Sequence, residues 1–276
     1  MKVKSFFSNL LKRTRKYQYN VGICCIIKDE NDYLEEWIKY HLQIGVDQFY
    51  IYDNQSILPI QSTLSVYIES GIVKVIPFPG QTAQLAAYHH FLENYKNECR
   101  WIAFIDIDEF IVPKSTFGNL PEFLCSYEKY GGVGLNWLVF GSNGHVYKPK
   151  GTQVESFTKR SLKTNPINKH IKSIVQTQYV KSASTDPHHF SYTSSKYCVN
   201  ENHDRIQGPF SDNSTNLIQI NHYVNRSLEE YHEKIARGRA DFEQKRPLSA
   251  FYDIDKFANE ITDESILEIK MIKQSK

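Results

Sequence analysis

The chain has no CxxC pair, no apolar run near the roughly 20 residues needed to cross a bilayer, and a formal net charge of only +2. Each absence removes a class of function. Cys24, Cys25, Cys99, Cys125 and Cys198 form an odd set without paired spacing, so neither a disulfide framework nor a cysteine zinc site is expected. The small charge gives no electrostatic footprint for nucleic acid as a bulk partner. The N-terminus lacks the long apolar core and cleavage site of a signal peptide, which makes a cytoplasmic location the expectation. Only 13 glycines and 10 prolines stand among 276 residues, against 41% hydrophobic and 13% aromatic residues. That composition excludes a disordered or collagen-like chain and predicts a sizeable core.

What is present begins with a basic segment, MKVKSFFSNLLKRTRK (1–16), in which Phe6, Phe7, Leu10 and Leu11 stand among six Lys/Arg residues. As a helix it would be amphipathic and could rest on the inner face of an anionic membrane; a solvated terminus is the alternative. From residue 21 strands and helices alternate. VGICCII (21–27) reads as a strand buried on both faces, and NDYLEEWIKYHLQIG (31–45) as a helix with Leu34, Trp37, Ile38 and Leu42 on one side. Asp32 is the expected N-cap of that helix, and Gly45 its C′ residue. Strands are predicted at 48–53, 72–78 and 101–112, and helices at 61–69 and 84–95. A polar stretch over 141–170 is expected to hold active-site loops. A last clear helix starts at Ser227, with Glu230 completing a capping box, and stops at Gly238. These patterns predict an α/β fold with a mostly parallel sheet and helices on both faces over 21–225, a basic segment before it (1–20) and a helical extension after it (226–276). Ligands of such sheets bind at the carboxyl ends of the strands.

WIAFIDIDEFIV (101–112) starts fully apolar and then acquires acids. Read as one strand, it puts Asp106 and Asp108 on the same face, with Cα atoms about 6.5 to 7 Å apart. Two carboxylates converging in a partly buried place need a proton, a basic partner or a hard cation. Mn²⁺ or Mg²⁺ there would offset the charge that builds on a nucleoside diphosphate as it leaves a sugar. Pairing of both acids with Lys or Arg is the plainer alternative. A phosphohydrolase or phosphotransferase with an aspartate nucleophile would want Thr or Val where Phe110 stands, on the first strand of its domain. A non-catalytic carbohydrate-binding protein would be favoured by a missing acid, and both are present.

The stretches IKDENDYLEEWIKYHLQIGVDQFYIYDNQS (27–56), WIAFIDIDEFIVP (101–113), NWLVFGSNGH (136–145), KHIKSIVQ (169–176) and INHYVNRSLEEYHEKIARGRAD (220–241) resemble glycosyltransferase family 92 and its bacterial family-2-like relatives. The resemblance implies a Rossmann-like GT-A fold, a nucleotide-sugar donor such as a uridine diphosphate sugar, a divalent metal at the DxD motif, and inversion at the anomeric carbon. A cytoplasmic enzyme with a basic N-terminus suits a membrane-borne acceptor, so a saccharide or lipid-linked saccharide acceptor in surface polysaccharide biosynthesis is the expectation. Carried over by position, Lys28, Glu30, Asp53 and Asn54 would line the nucleotide pocket, together with Gln84 and Asp106. Asp53 can equally serve as a turn residue in DNQS. Lys172 and Arg226 would neutralise the diphosphate. His189 in DPHHF and His222 in INHY are the two histidines that could join Asp106 and Asp108 on the metal. For the catalytic base Glu155 is the choice, with Glu109 and His145 as rivals.

Overall fold

The computed structural model describes residues 16–114, 118–193, 195–240 and 243–274. Apart from Lys16, the basic segment 1–16 lies outside them. The apolar run after Asn20 forms β1 (Tyr19–Ile27), buried from Val21 to its end. Such a strand must be covered on both faces, and it is. It pairs in parallel with β2 (Gln48–Asp53) on one side and β4 (Cys99–Phe104) on the other, while β3 (Val73–Pro77) extends the sheet beyond β2. The crossover helices α1 (Asn31–Gln43) and α2 (Ile60–Glu69) bury Leu34, Trp37, Ile38 and Leu64 against one face. The third, α3 (Gln84–Asn94), buries Ala87, Tyr88 and Phe91 against the other, with Cys24, Tyr50 and Tyr52. Strand order therefore reverses between β1 and β4, and the carboxyl ends of those two strands flank the crevice where ligands bind in sheets of this kind.

The single strand expected over 101–112 is two. After Phe104 the chain turns through Ile105–Asp108, with Glu109 N–H donating to the Asp106 carbonyl (3.1 Å), and β5 (Glu109–Pro113) departs for the far edge of the sheet. The order is β3-β2-β1-β4-β8-β6-β12-β5, with β11 (Cys198–Val199) paired to β6 off this path, where β6 is Gly132–Val139, β8 Ile171–Gln176 and β12 Ile218–His222. Parallel pairing holds in the first four strands and between β6 and β12; β8 runs antiparallel to both its neighbours, and β5 to β12. An apolar run thus supplied two strands because both ends of it are buried, and the acids mark the turn between them.

At α1 the residue before the helix is Glu30; Asp32, the expected N-cap, lies in the first turn. Glu30 is engaged elsewhere, as described below. Gly45 takes φ 95° just after the helix, a conformation costly for a residue with a Cβ. The capping box is formed as expected: Ser227 Oγ accepts from Glu230 N–H at the start of α6 (Leu228–Arg237), and Gly238 (φ 86°) follows its end. The stretch 141–170 serves as a dock. Ser142 donates through its N–H and Oγ to Asp255 on α7 (Ser249–Asp255), and β7 (Lys159–Arg160) pairs with β13 (Ile261–Thr262). Among the described residues no helix is long and apolar enough to cross a membrane.

One core residue carries a consequence for pH. His41 is fully buried; its Nδ1–H donates to the Trp37 carbonyl (2.9 Å), and its Nε2 accepts from Ile111 N–H (3.3 Å), which fixes a neutral ring. Burial pushes its pKa down to about 3, only partly opposed by the bond to Trp37. The unfolded chain, with an ordinary imidazole, therefore binds the extra proton below about pH 6.5 and the folded chain does not. Stability is complete above that pH and falls as the pH drops. Urea denaturation from pH 6.5 to 4.5 should show about 2 to 3 kcal/mol lost through this residue, and His41→Gln should flatten the slope.

Candidate active site

The turn after β4 holds the acids in unlike settings. Asp106 accepts from Gln84 Nε2 at Oδ1 and from Lys172 Nζ at Oδ2, both at 2.7 Å. Asp108 accepts from Lys234 Nζ at Oδ2 (2.5 Å), while its Oδ1 lies 3.7 Å from His222 Nε2. The acids have taken basic partners, one of the three forms of relief that their convergence demands. Lys172 rises from β8 at 1% exposure, and although burial opposes its charge, Asp106 and then Glu109 hold its pKa well above the usual range. Burial likewise works against the Asp108 anion, but Lys234, His222 and Arg226 overcome it and keep the carboxyl well below its usual range. Glu109, fully buried, accepts from Asp106 N–H (2.8 Å), and burial pushes its pKa up to about 8 despite Lys172.

Asp106, Asp108 and Lys234 border a cavity of about 340 Å³ at the carboxyl ends of β1 and β4, with Lys172, Glu109 and His222 behind them. Lys28, Glu30, Asn54, Gln84, Asp106 and Asp108, all candidates from the sequence, line it. Asn54 commits its Nδ2 to the Phe78 and Gly80 carbonyls, so from a ligand it can only accept. Asp53 takes the turn role instead, accepting from Ser56 N–H (3.0 Å). Arg226 stands behind the wall: it donates to Glu30 Oε2 (2.7 Å), and Arg237 binds the other oxygen. Burial raises the Glu30 pKa, but the two guanidinium groups outweigh it and the net shift is downward. The expected boundary at 225/226 crosses this site, since Lys234, Arg237 and Arg246 complete the cavity.

Those three cations are what the sequence reading missed. The available signal was the spacing of Lys234 and Arg237, three apart in the last turn of a capped helix and so on one side of it. Other expectations need correcting. Glu155 sits on the short helix α5 (Gln153–Ser156), exposed, where its carboxylate accepts from Thr152 Oγ1 (2.7 Å) in a local cap. His145 is bound into the same loop by the Ser156 carbonyl and the Phe157 ring. His189 stands 3.8 Å from Asp186 at the hairpin of β9 (Val180–Ala183) and β10 (Phe190–Tyr192), apart from the acid cluster. Its neighbour His188 packs toward the site, donating Nδ1–H to the Ile171 carbonyl (2.7 Å).

Among the described residues no three His, Cys, Asp or Glu side chains form a ready metal cage. Asp108 and His222 nevertheless have suitable donor chemistry. Burial pulls the His222 pKa down to about 3, against the pull of Asp108, so the ring is a neutral ligand, and its Nδ1 is buried without a partner. A hard cation held by one carboxylate and one imidazole, with phosphate oxygens in its other positions, fits this pair once Lys234 leaves Asp108. Beyond His222 a row of rings leads outward. Trp137 lies 4.2 Å from His222 and 4.7 Å from His170, and His170 lies 4.6 Å from Phe210, which is 52% exposed.

Among solved structures, the chain shows likeness to Staphylococcus aureus TarS (residues 1–349) in complex with UDP, at 13% identity and a TM-score of 0.35, covering 57% of this chain and 47% of that one. It also shows likeness to glucosyl-3-phosphoglycerate synthase from Mycobacterium tuberculosis in complex with Mn²⁺, UDP and glucosyl-3-phosphoglycerate, at 13% identity and a TM-score of 0.33, covering 58% and 57%. By sequence it is 27% identical over 231 residues to a glycosyltransferase family 92 protein of Ricinus communis, and 28% identical over 232 residues to one of Oryza sativa subsp. japonica. These matches cover 81% and 82% of this chain but 39% and 36% of the relatives, so the chain spans well under half of their length. The family model for Glycosyltransferase family 92 matches residues 19–259, nearly the whole of the sheet and the cavity, and the chain belongs to that family.

Proposed function

We propose that this chain transfers a sugar from a nucleotide-sugar donor, of the uridine diphosphate type, to a saccharide or lipid-linked saccharide acceptor. The GT-A arrangement and inversion implied by the family belong to the proposal, as does a place in surface polysaccharide synthesis. The observation that carries it is the make-up of the cavity, where Asp106 and Asp108 on one wall face Lys28, Lys234, Arg237 and Arg246. That pattern suits a diphosphate bound through both a cation and direct basic contacts. Mn²⁺ or Mg²⁺ at Asp108 and His222 would draw off charge as the diphosphate leaves.

The chain's own residues do the rest. Lys172 and Gln84 hold Asp106 oriented, and Arg237, itself pinned by Glu30, presents a fixed positive wall to the phosphates. Asn54 accepts from the nucleoside side. The acceptor would approach over the rings on the other side of His222, with Phe210 as the outer contact. Aspartate-nucleophile phosphoryl transfer gains no support, since both oxygens of Asp106 are already engaged.

A screen of nucleotide sugars for hydrolysis and for transfer to saccharides, with and without Mn²⁺, tests the reading directly. Turnover of no donor in any arm would overturn it. The acceptor side has its own prediction: Phe210→Ala should raise the acceptor KM about 3- to 10-fold and leave donor hydrolysis unchanged, as expected for one lost aromatic contact. An equal fall in both rates would remove Phe210 from the acceptor path.

A further inference from the structure

Four cations engage the acids at the cavity: Arg226 and Arg237 hold Glu30, Lys172 reaches Asp106 and Glu109, and Lys234 holds Asp108. Three of these cations are built in. Lys172 springs from the middle of a buried strand, and the two arginines grip Glu30 from opposite ends of α6. Lys234 differs from them. It borders the open cavity on a flexible four-carbon stem, and its second bond is to the Val224 carbonyl (3.0 Å). Its ammonium occupies one oxygen of Asp108 while the other faces His222, so it stands in the charge space of a cation held by that pair. An ammonium and a dication on one carboxylate would repel strongly.

We propose that Lys234 is a displaceable counter-cation, which neutralises Asp108 in the donor-free protein and moves onto the diphosphate when a divalent cation arrives with the donor. This rests on the donor-site reading above. The exchange needs no movement of the helix, because the Ser227–Glu230 capping box and the Arg237–Glu30 pair hold α6 in place. It also makes the two ligands mutually dependent. A metal alone must strip Asp108 of its partner and leave Lys234 without one, whereas a diphosphate supplies the partner. By linkage each ligand then strengthens the other.

Mn²⁺ binding followed by electron paramagnetic resonance, with no donor present, reads this directly. Lys234→Met should bind Mn²⁺ alone about tenfold more tightly than wild type, the like-charge competitor having gone, and Lys234→Arg should stay near wild type. Asp108→Asn should lose the site. Adding UDP should tighten Mn²⁺ in the wild type by a larger factor than in Lys234→Met. Should the methionine variant fail to fold, as judged by circular dichroism, Lys234→Gln takes its place. Equal Mn²⁺ affinity in wild type and the uncharged variants, or an equal UDP effect in both, overturns the exchange. If the wild type binds no UDP and turns over no donor, yet losing Lys234 still tightens Mn²⁺, the donor reading falls and the competition at Asp108 stands.

Discussion

Asp108→Asn is expected to lower donor turnover by two to three orders of magnitude, roughly what one well-placed electrostatic group contributes when charge develops on a leaving group. The side chain is isosteric and 6% exposed, so shape is kept while the negative charge is lost. The Asp108 carbonyl still accepts from Tyr223 N–H (2.8 Å), which keeps the turn closed. Lys234 loses its carboxylate and keeps only its bond to the Val224 carbonyl (3.0 Å), so the variant should lose some stability as well. Hydrolysis rates and melting curves on the same preparations separate the two effects. A variant with half the wild-type turnover would remove Asp108 from the chemistry.

Lys172→Met should show the opposite balance, with stability as the first casualty. Methionine keeps the volume of the stem and deletes the charge, leaving Asp106 with Gln84 alone and Glu109 without its nearest cation, 3.5 Å away. Removing one member of a fully buried ion pair costs about 3 to 5 kcal/mol, chiefly because the survivor is left uncompensated; with Asp106 32% exposed, a loss of about 2 to 3 kcal/mol is expected here. Urea unfolding at pH 7 measures this. The double variant Asp106→Asn with Lys172→Met should recover much of the loss, since neither charge then remains. A single-variant cost below about 1 kcal/mol would mean that water already screens Asp106 and that the lysine is not what holds it.

The parts of the fold that could be read from sequence are those governed by local periodicity. The buried run of β1, the apolar side of α1 and the Ser227–Glu230 box each need only a few neighbouring residues to be recognised, and each is present. The break inside 101–112 was hidden because Phe104 and Phe110 on either side of it are both fully buried, so the alternating acids between them read as one face of a continuing strand. At the site, Asp106, Gln84 and Lys172 were all candidates, and they meet. Lys234 was not, because its contact with Asp108 spans 126 residues, and its spacing from Arg237 marks a basic side of the helix without showing what that side faces. Glu155 misled for the converse reason: an acid after a glycine-bearing loop has the right neighbours in sequence, and its actual partner, Thr152, lies three residues away.

The clasp between Glu30 and α6 joins positions 196 and 207 residues apart. During synthesis on a ribosome, a nascent chain that has emerged as far as β12 can already pair its strands and set both acids in their turn. It still lacks Lys234, Arg237 and Arg246. The acids and these cations are therefore brought together only when the late part arrives. The same late residues bring Ala258 and Ile266, both buried in the main core, so a chain stopped at β12 would lack part of its hydrophobic interior as well.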